Sequence, residues 1–182
     1  MIDASLSRAP YLSLRHARTG RIGDGGLLPP GWRGEHTAEV EVLDIGSDGG
    51  KPSVVVNFKF DGDIASDYVG LCVGQYLPAP KDTVVLLSAK VSLAGWDNVG
   101  AAFMIVREWR EGGEFVRQSR RPLALGDAPQ IGMVALEVGA EGRVAEPMLM
   151  VKRQSAAPGS LTVTLGGLAF GSLYDHPRWL CD

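Results

Sequence analysis

Residues 83–93 read TVVLLSAKVSL and carry a clear alternating pattern. Every second residue is apolar, and the residues between them become polar toward the end of the run. The predicted inward set is Val85, Leu87, Ala89, Val91 and Leu93, and the opposite set is Val84, Leu86, Ser88, Lys90 and Ser92. Because a β-strand points successive side chains to opposite faces, this stretch predicts a strand with one face in a core.

Similar strand patterns recur along the rest of the chain. They predict strands at 37–45, 53–60, 68–77, 101–110, 132–138, 147–153 and 160–168, with a short resumption at 115–117. Segments rich in glycine or proline, including 23–34 and 120–130, are predicted to be irregular. About eight or nine strands without a long amphipathic helix predict an all-β fold, a β-sandwich or barrel.

The composition fits one folded domain with short ends. The chain has 182 residues, of which 45% are hydrophobic and 21% charged, and its net charge is −3. This balance disfavours wholesale disorder and a dedicated nucleic-acid binder, and no apolar run reaches the roughly 20 residues of a membrane span. We predict an N-terminal arm at 1–22, a β-domain at 23–170 and a C-terminal tail at 171–182.

The N-terminal segment is basic and lacks the pattern of a secretory signal. Residues 1–33 hold five arginines against two aspartates, a net charge of +3, which leaves −6 for the remainder. The absence of a charged start, an apolar centre and a cleavage site indicates a cytoplasmic, virion-associated or non-classically exported protein. The arm lies on its own acidic domain, contacts an acidic partner or an anionic polymer, or, like the tail, contributes to a homo-oligomer.

Four stretches together resemble a known family. They are LPPGW (28–32), GGKPSVVVNF (49–58), TVVLLSAKVSLAG (83–95) and GSLTVTLGGLAF (159–170). Their layout over residues 20–170 resembles jelly-roll domains of the carbohydrate-binding-module type, which occur beside glycan-active enzymes and in phage-like tail proteins. The resemblance implies an antiparallel jelly-roll β-sandwich that binds a glycan or polysaccharide without catalysis.

Sugar binding needs flat aromatic faces together with planar polar groups that pair with hydroxyls. Tyr68 and Tyr76 share one predicted face of their strand, and Arg107 and Trp109 share a face of theirs. With Lys90 they are predicted to line one concave sheet surface, although the tyrosines also suit a half-buried sheet position without a ligand. In a turn beside Asp97 and Asn98, Trp96 is a further candidate ligand contact.

Other chemistry is less well supported. Cys72 and Cys181 are far apart, and we expect both to be reduced. No cofactor is predicted, but the loop DGDIASD clusters Asp61, Asp63 and Asp67, where a structural calcium competes with a solvated turn. The segment 107–121 holds five arginines and three glutamates, which predicts a salt-bridged hairpin whose arginines also suit acidic glycans.

Three functions follow, in order of preference. The first is a non-catalytic carbohydrate-binding domain, and the second is a structural or assembly module with exposed aromatic residues for protein partners. The third is a small glycan-active hydrolase, which would need two carboxylates facing each other in a cleft. The chain contains no G-x-S-x-G motif, P-loop or Rossmann fingerprint, so no other enzyme class is indicated.

Overall fold

The computed structural model describes residues 32–35, 39–48, 51–62, 66–73, 76–110, 113–142 and 144–172. Within these ranges the secondary structure consists of eleven β-strands and no helix. The strands are β1 (Trp32–Glu35), β2 (Glu39–Asp48), β3 (Lys51–Phe60), β4 (Tyr68–Val73), β5 (Leu77–Pro78), β6 (Val84–Asp97), β7 (Val99–Trp109), β8 (Phe115–Leu123), β9 (Gly126–Glu137), β10 (Val144–Arg153) and β11 (Gly159–Ser172). A helix long and apolar enough to cross a membrane is found nowhere in this part of the chain.

The strands form two antiparallel sheets that pack face to face. The front sheet has the order β1-β4-β10-β7-β8, with β5 pairing to β10, and the back sheet has the order β2-β3-β11-β6-β9. Apart from the hairpins β2–β3 and β7–β8, strands that neighbour each other in a sheet are not consecutive in sequence, because the chain repeatedly crosses from one sheet to the other. This is the jelly-roll β-sandwich expected from the sequence.

Side chains from both sheets interdigitate in one core. On β3 the buried set is Val54, Val56, Phe58 and Phe60, each at most 2% exposed. The inward residues predicted for β6 are buried with them, and from the front sheet come residues such as Leu71, Met104 and Leu149. Burial of a large apolar side chain contributes about 1.5–3 kcal/mol, so the period-two pattern is what holds the sheets together.

Most predicted strands are confirmed, with three corrections. Trp32–Glu35 forms a strand inside the stretch expected to be a loop, and its position at the sheet edge suits its proline-rich approach. The segment 120–130 is not irregular, because β8 runs to Leu123 and β9 begins at Gly126. The strand predicted at 68–77 divides into β4 and β5.

The predicted ends lie mostly outside the described residues. The arm at 1–22 falls there entirely, as does the tail after Ser172, so an oligomer through them stays a prediction. The first two residues assigned to the tail belong to β11, where Gly171 and Ser172 pair with Leu86 and Val85. Cys181 is likewise outside the described residues, whereas Cys72 is buried, and the reduced state of both stays a prediction.

Candidate functional site

The outer face of the front sheet brings together aromatic and charged side chains from four strands, β4, β7, β8 and β10. Leu71, Leu149 and Met104 form an inward row across β4, β10 and β7, so residues one position away point outward. From one end of the face to the other, the outward rows are Pro78, Val144, Trp109 and Phe115; Glu146, Arg107 and Gln118; Cys72, Met148, Ile105 and Arg120; Gly70, Met150, Phe103 and Pro122; and Tyr68, Lys152 and Ala101.

A buried carboxylate organises the end of this face that carries Trp109. Glu146 is fully buried and lies directly opposite Arg107 in the pairing of β10 with β7. Its Oε2 accepts a hydrogen bond from the Trp109 indole Nε1 at 3.0 Å and lies 3.8 Å from Nη1 of Arg107. Its Oε1 accepts a hydrogen bond from the Cys72 thiol at 3.3 Å. The carboxylate therefore has a compensating cation and two donors, which buried charge requires.

Trp109 is held from three directions. Besides its hydrogen bond to Glu146, the Arg107 guanidinium carbon lies 5.9 Å from the Trp109 ring centroid. The Phe115 ring meets the indole nearly edge-to-face, with centroids 5.6 Å apart and planes at 76°. Such contacts orient the indole before any ligand arrives, which lowers the entropic cost of binding.

Two further aromatic rings at this end are open to solvent. Phe115 is 49% exposed and Tyr76 is 48% exposed, while Trp109 is half-buried. Tyr76 comes one residue before the pairing of Leu77 with Ala145, a position level with Glu146 and Arg107. The structure thus places Tyr76, Arg107 and Trp109, all predicted site residues, at one end of one face.

The far end of the same face carries Tyr68. Tyr68 pairs with Lys152 of β10, and Trp109 pairs with Val144 of the same strand. These two partners are eight residues apart, which corresponds to roughly 27 Å along the strand. The middle of the face is apolar and closed to solvent: Cys72, Met148 and Ile105 are fully buried and pack with the partly buried Phe103 and Met150. Tyr68 therefore shares the face with Trp109 but not the same cluster.

Lys90 does not lie on this face, which corrects the expectation of one shared surface, and Trp96, the separate candidate contact, does not lie on it either. Both belong to β6, a strand of the back sheet, and Lys90 is exposed beside Ile131 on the outer side of that sheet. Trp96 is 46% exposed near the turn that leads into β7, at the opposite end of β7 from Trp109. Consecutive strands β6 and β7 lie in different sheets, so their outward faces point in opposite directions.

Sequence reasoning missed Glu146, Phe115 and Phe103, and it included Arg120 only as one of the five arginines of the segment 107–121. Glu146 carried a usable signal, since it is a lone acid in the otherwise apolar run from Val144 to Val151. An acid at a buried strand position needs a cation opposite it, and this requirement points to an arginine on a neighbouring strand. No comparable feature of the sequence pointed to Phe115. Phe115 lies opposite Trp109 only because a β-bulge shifts the pairing of β7 with β8 between Glu108 and Trp109.

The charged hairpin between β7 and β8 is salt-bridged, as predicted. The fully buried Glu108 accepts hydrogen bonds from Arg117 Nε at 2.7 Å and from the Gly139 backbone amide at 2.9 Å. Arg110 pairs with Glu114 and with Glu141. Hydrogen bonding to Glu141, followed by that to Glu114, raises the pKa of Arg110 above its ordinary value, so the guanidinium stays charged.

The two fully buried carboxylates do not face one another. Glu146 points to the outer face of the front sheet, whereas Glu108 occupies the alternate register on the inward side of β7. The paired-carboxylate arrangement that the hydrolase alternative needs is therefore not formed by these two residues.

The predicted calcium loop is only partly described, since Asp63 lies outside the described residues. Its neighbouring backbone faces an arginine, because Arg153 Nη1 lies 3.4 Å from the carbonyl oxygens of Asp61 and Gly62. No group of three or more acidic, histidine or cysteine side chains suited to a metal occurs in the part of the chain that the structure describes. A structural calcium stays a prediction.

Comparisons with known proteins identify solved structures that share the β-sandwich fold of this chain. Neither a protein-family model nor a curated protein matches this chain. Among solved structures, the CBM22-1 xylan-binding domain of Paenibacillus barcinonensis Xyn10C matches with a TM-score of 0.51 and 15% identity, over 79% of this chain and 86% of that one.

Two further solved structures also match this chain. A carbohydrate-binding module of the β-sandwich superfamily, described for its promiscuous specificity, has a TM-score of 0.54 and 12% identity, over 84% of this chain and 60% of that one. The enzymatically active domain of bacteriophage CBA120 tailspike protein 4 has a TM-score of 0.49 and 9% identity, and this chain spans only 20% of its length. The chain has the β-sandwich fold seen in carbohydrate-binding modules.

Proposed function

We propose that this chain binds a glycan on the outer face of the front sheet, at the end that carries Trp109. The observation that carries the proposal is the oriented indole of Trp109, held by Glu146, Arg107 and Phe115. Half-exposed Tyr76 and Phe115 extend the aromatic surface beside it. Flat rings suit the apolar faces of sugar rings, and the fold likeness to a xylan-binding domain supports the same reading.

The arrangement suits recognition rather than bond cleavage. Glu146 is fully buried and engaged with three neighbours, so its role here is to position Trp109 and balance the charge of Arg107. Two of the solvent-facing groups at this end, Tyr76 and Phe115, are aromatic rings, which hold a polymer by contact area. We therefore propose a non-catalytic role.

The first experiment compares variants on two faces of the sandwich. Tyr76→Ala and Trp109→Phe remove aromatic area from the proposed surface, while Trp96→Ala removes an exposed tryptophan from the back sheet as the matched control. Binding to a panel of neutral and acidic soluble polysaccharides is measured by affinity electrophoresis and calorimetry. Truncation of a central aromatic contact at an interface costs about 2 kcal/mol, so we expect Tyr76→Ala to weaken binding by more than about tenfold.

Two results would contradict the proposal. One is a folded wild-type protein that binds none of the polysaccharides. The other is loss of binding in Trp96→Ala with full binding retained in Tyr76→Ala, which would move the site to the back sheet. Thermal unfolding of each variant separates loss of contact from loss of fold.

One observation favours the second candidate function, an assembly module. Ile131 is 75% exposed and Met133 is 47% exposed, and both lie on β9, the edge strand of the back sheet. An edge strand with exposed apolar side chains is a template for pairing with another strand. Light scattering tests self-association: a monomer near the chain mass of 19.4 kDa would exclude it, and a dimer abolished by Ile131→Lys would support it.

A further inference from the structure

We infer that Phe103, Arg120 and Lys152 form a second subsite on the same face, which binds the carboxylate of an acidic sugar residue. The inference rests on the proposed glycan-binding function and narrows its ligand to carboxylated polysaccharides. Phe103 lies on β7, and Arg120 and Lys152 lie on the two strands that flank it. The strand register makes both cations diagonal neighbours of the phenyl ring on the outer face.

Arg120 is oriented by the ring beneath it. Its guanidinium carbon lies 5.4 Å from the centroid of Phe103, which is half-buried. A guanidinium stacked on an aromatic face keeps its N–H edges directed sideways, where they match the two oxygens of a carboxylate. The stacking therefore prepares Arg120 for bidentate pairing and limits the entropy it would lose on binding.

Arg120 and Lys152 differ from the arginines of the neighbouring hairpin. Arg110 and Arg117 are paired with glutamates, and Arg107 is paired with Glu146. Arg120 and Lys152 are exposed, and no described carboxylate lies within ion-pairing distance of either. Their charges thus remain available to a ligand.

The charge of the face is opposite to that of the whole chain. Among outward residues whose side chains are described, Arg107, Arg120 and Lys152 are cationic, and buried Glu146 is anionic. A chain with a net charge of −3 therefore concentrates positive charge on the face that carries the aromatic cluster, which favours an anionic ligand over a neutral one.

The test uses polymers that differ only in their carboxylates. Glucuronoxylan, polygalacturonate and alginate are each compared with the same polymer after reduction of its carboxyl groups to alcohols. The protein variants are Arg120→Gln with Lys152→Gln, and the control pair is Lys59→Gln with Lys90→Gln on the exposed back sheet. Both double variants remove two positive charges. A loss of binding that occurs only in Arg120→Gln with Lys152→Gln therefore depends on the position of the charges and not on the net charge.

We expect the wild-type chain to bind at least one acidic polymer about tenfold more tightly than its reduced form, and this preference to weaken with added salt. Arg120→Gln with Lys152→Gln should abolish the preference while leaving binding to neutral polymers unchanged, and the control pair should retain it. Equal affinity for acidic and reduced polymers, or selective binding of neutral ones, would overturn this inference and leave the proposed function standing. Absence of binding to every polysaccharide would overturn both.

Discussion

Glu146 is the residue on which the Trp109 cluster depends. Its carboxylate is fully buried opposite Arg107, whose side chain is only 11% exposed. Glu146→Gln removes the negative charge that lies opposite the buried Arg107 guanidinium, so we expect a loss of about 3 kcal/mol in the free energy of unfolding. The measurement is urea unfolding followed by circular dichroism.

Glu114→Gln provides the matched control for that change. Glu114 pairs with Arg110, but its side chain is 67% exposed, so solvent screens the interaction. We expect its loss to cost less than about 1 kcal/mol. Equal, small effects of the two substitutions would show that Glu146 does not stabilise the cluster as described.

At the scale of elements, Asn98 ties two connections of the sandwich together. It joins β6 to β7 with a positive φ of 55°, and its side chain bonds to the β10–β11 connection. Asn98 Oδ1 accepts hydrogen bonds from the Ser155 amide and hydroxyl, and Nδ2 donates to the carbonyls of Ser155 and Ala157.

Asn98→Gly keeps the left-handed backbone available while removing these side-chain bonds. We expect a loss of about 1–2 kcal/mol in the free energy of unfolding, and faster amide exchange at Ser155 and Ala157. Asp82→Gly is the control, since Asp82 also has a positive φ of 65° but its side chain is 72% exposed. If Asn98→Gly lowers the free energy of unfolding no more than Asp82→Gly does, the side-chain hydrogen bonds of Asn98 do not stabilise the sandwich.

The elements also show where prediction from sequence ends. Alternation assigned the inward residues of β6 correctly, because burial of a strand face leaves a period of two in the chain itself. Alternation could not assign Lys90 to a sheet. The short turn at Asn98 that joins β6 to β7 suits two strands that pair as a hairpin as well as two strands that lie in different sheets. Sheet membership depends on partners such as β11 and β10, and these contacts leave no local pattern.

The same limit applied to the site. Arg107 and Trp109 were found because they lie two residues apart on one strand, a relation visible in sequence. Their link to Glu146 spans 37 residues for Trp109 and requires the register of β7 with β10. Nothing local to either strand specifies that register.

At the scale of the whole molecule, one core serves both sheets, so the two sheets should lose their structure together. Phe58 on β3 is fully buried in the cluster that includes front-sheet residues such as Leu71 and Leu149. Phe58→Ala removes a ring from this shared core, and we expect it to lower the free energy of unfolding by about 4 kcal/mol. Phe115→Ala, at a position 49% exposed, should change it by less than about 1 kcal/mol.

The two sheets can be followed separately by keeping a single tryptophan in each. Trp109 reports on the front sheet and Trp96 on the back sheet, with the other tryptophans replaced by phenylalanine. Although Phe58 belongs to the back sheet, its loss should shift both fluorescence transitions by the same amount, because neither sheet can keep its apolar face in water alone. A shift at Trp96 with an unmoved transition at Trp109 would mean that the front sheet is stable by itself, and the single-core description would then be wrong.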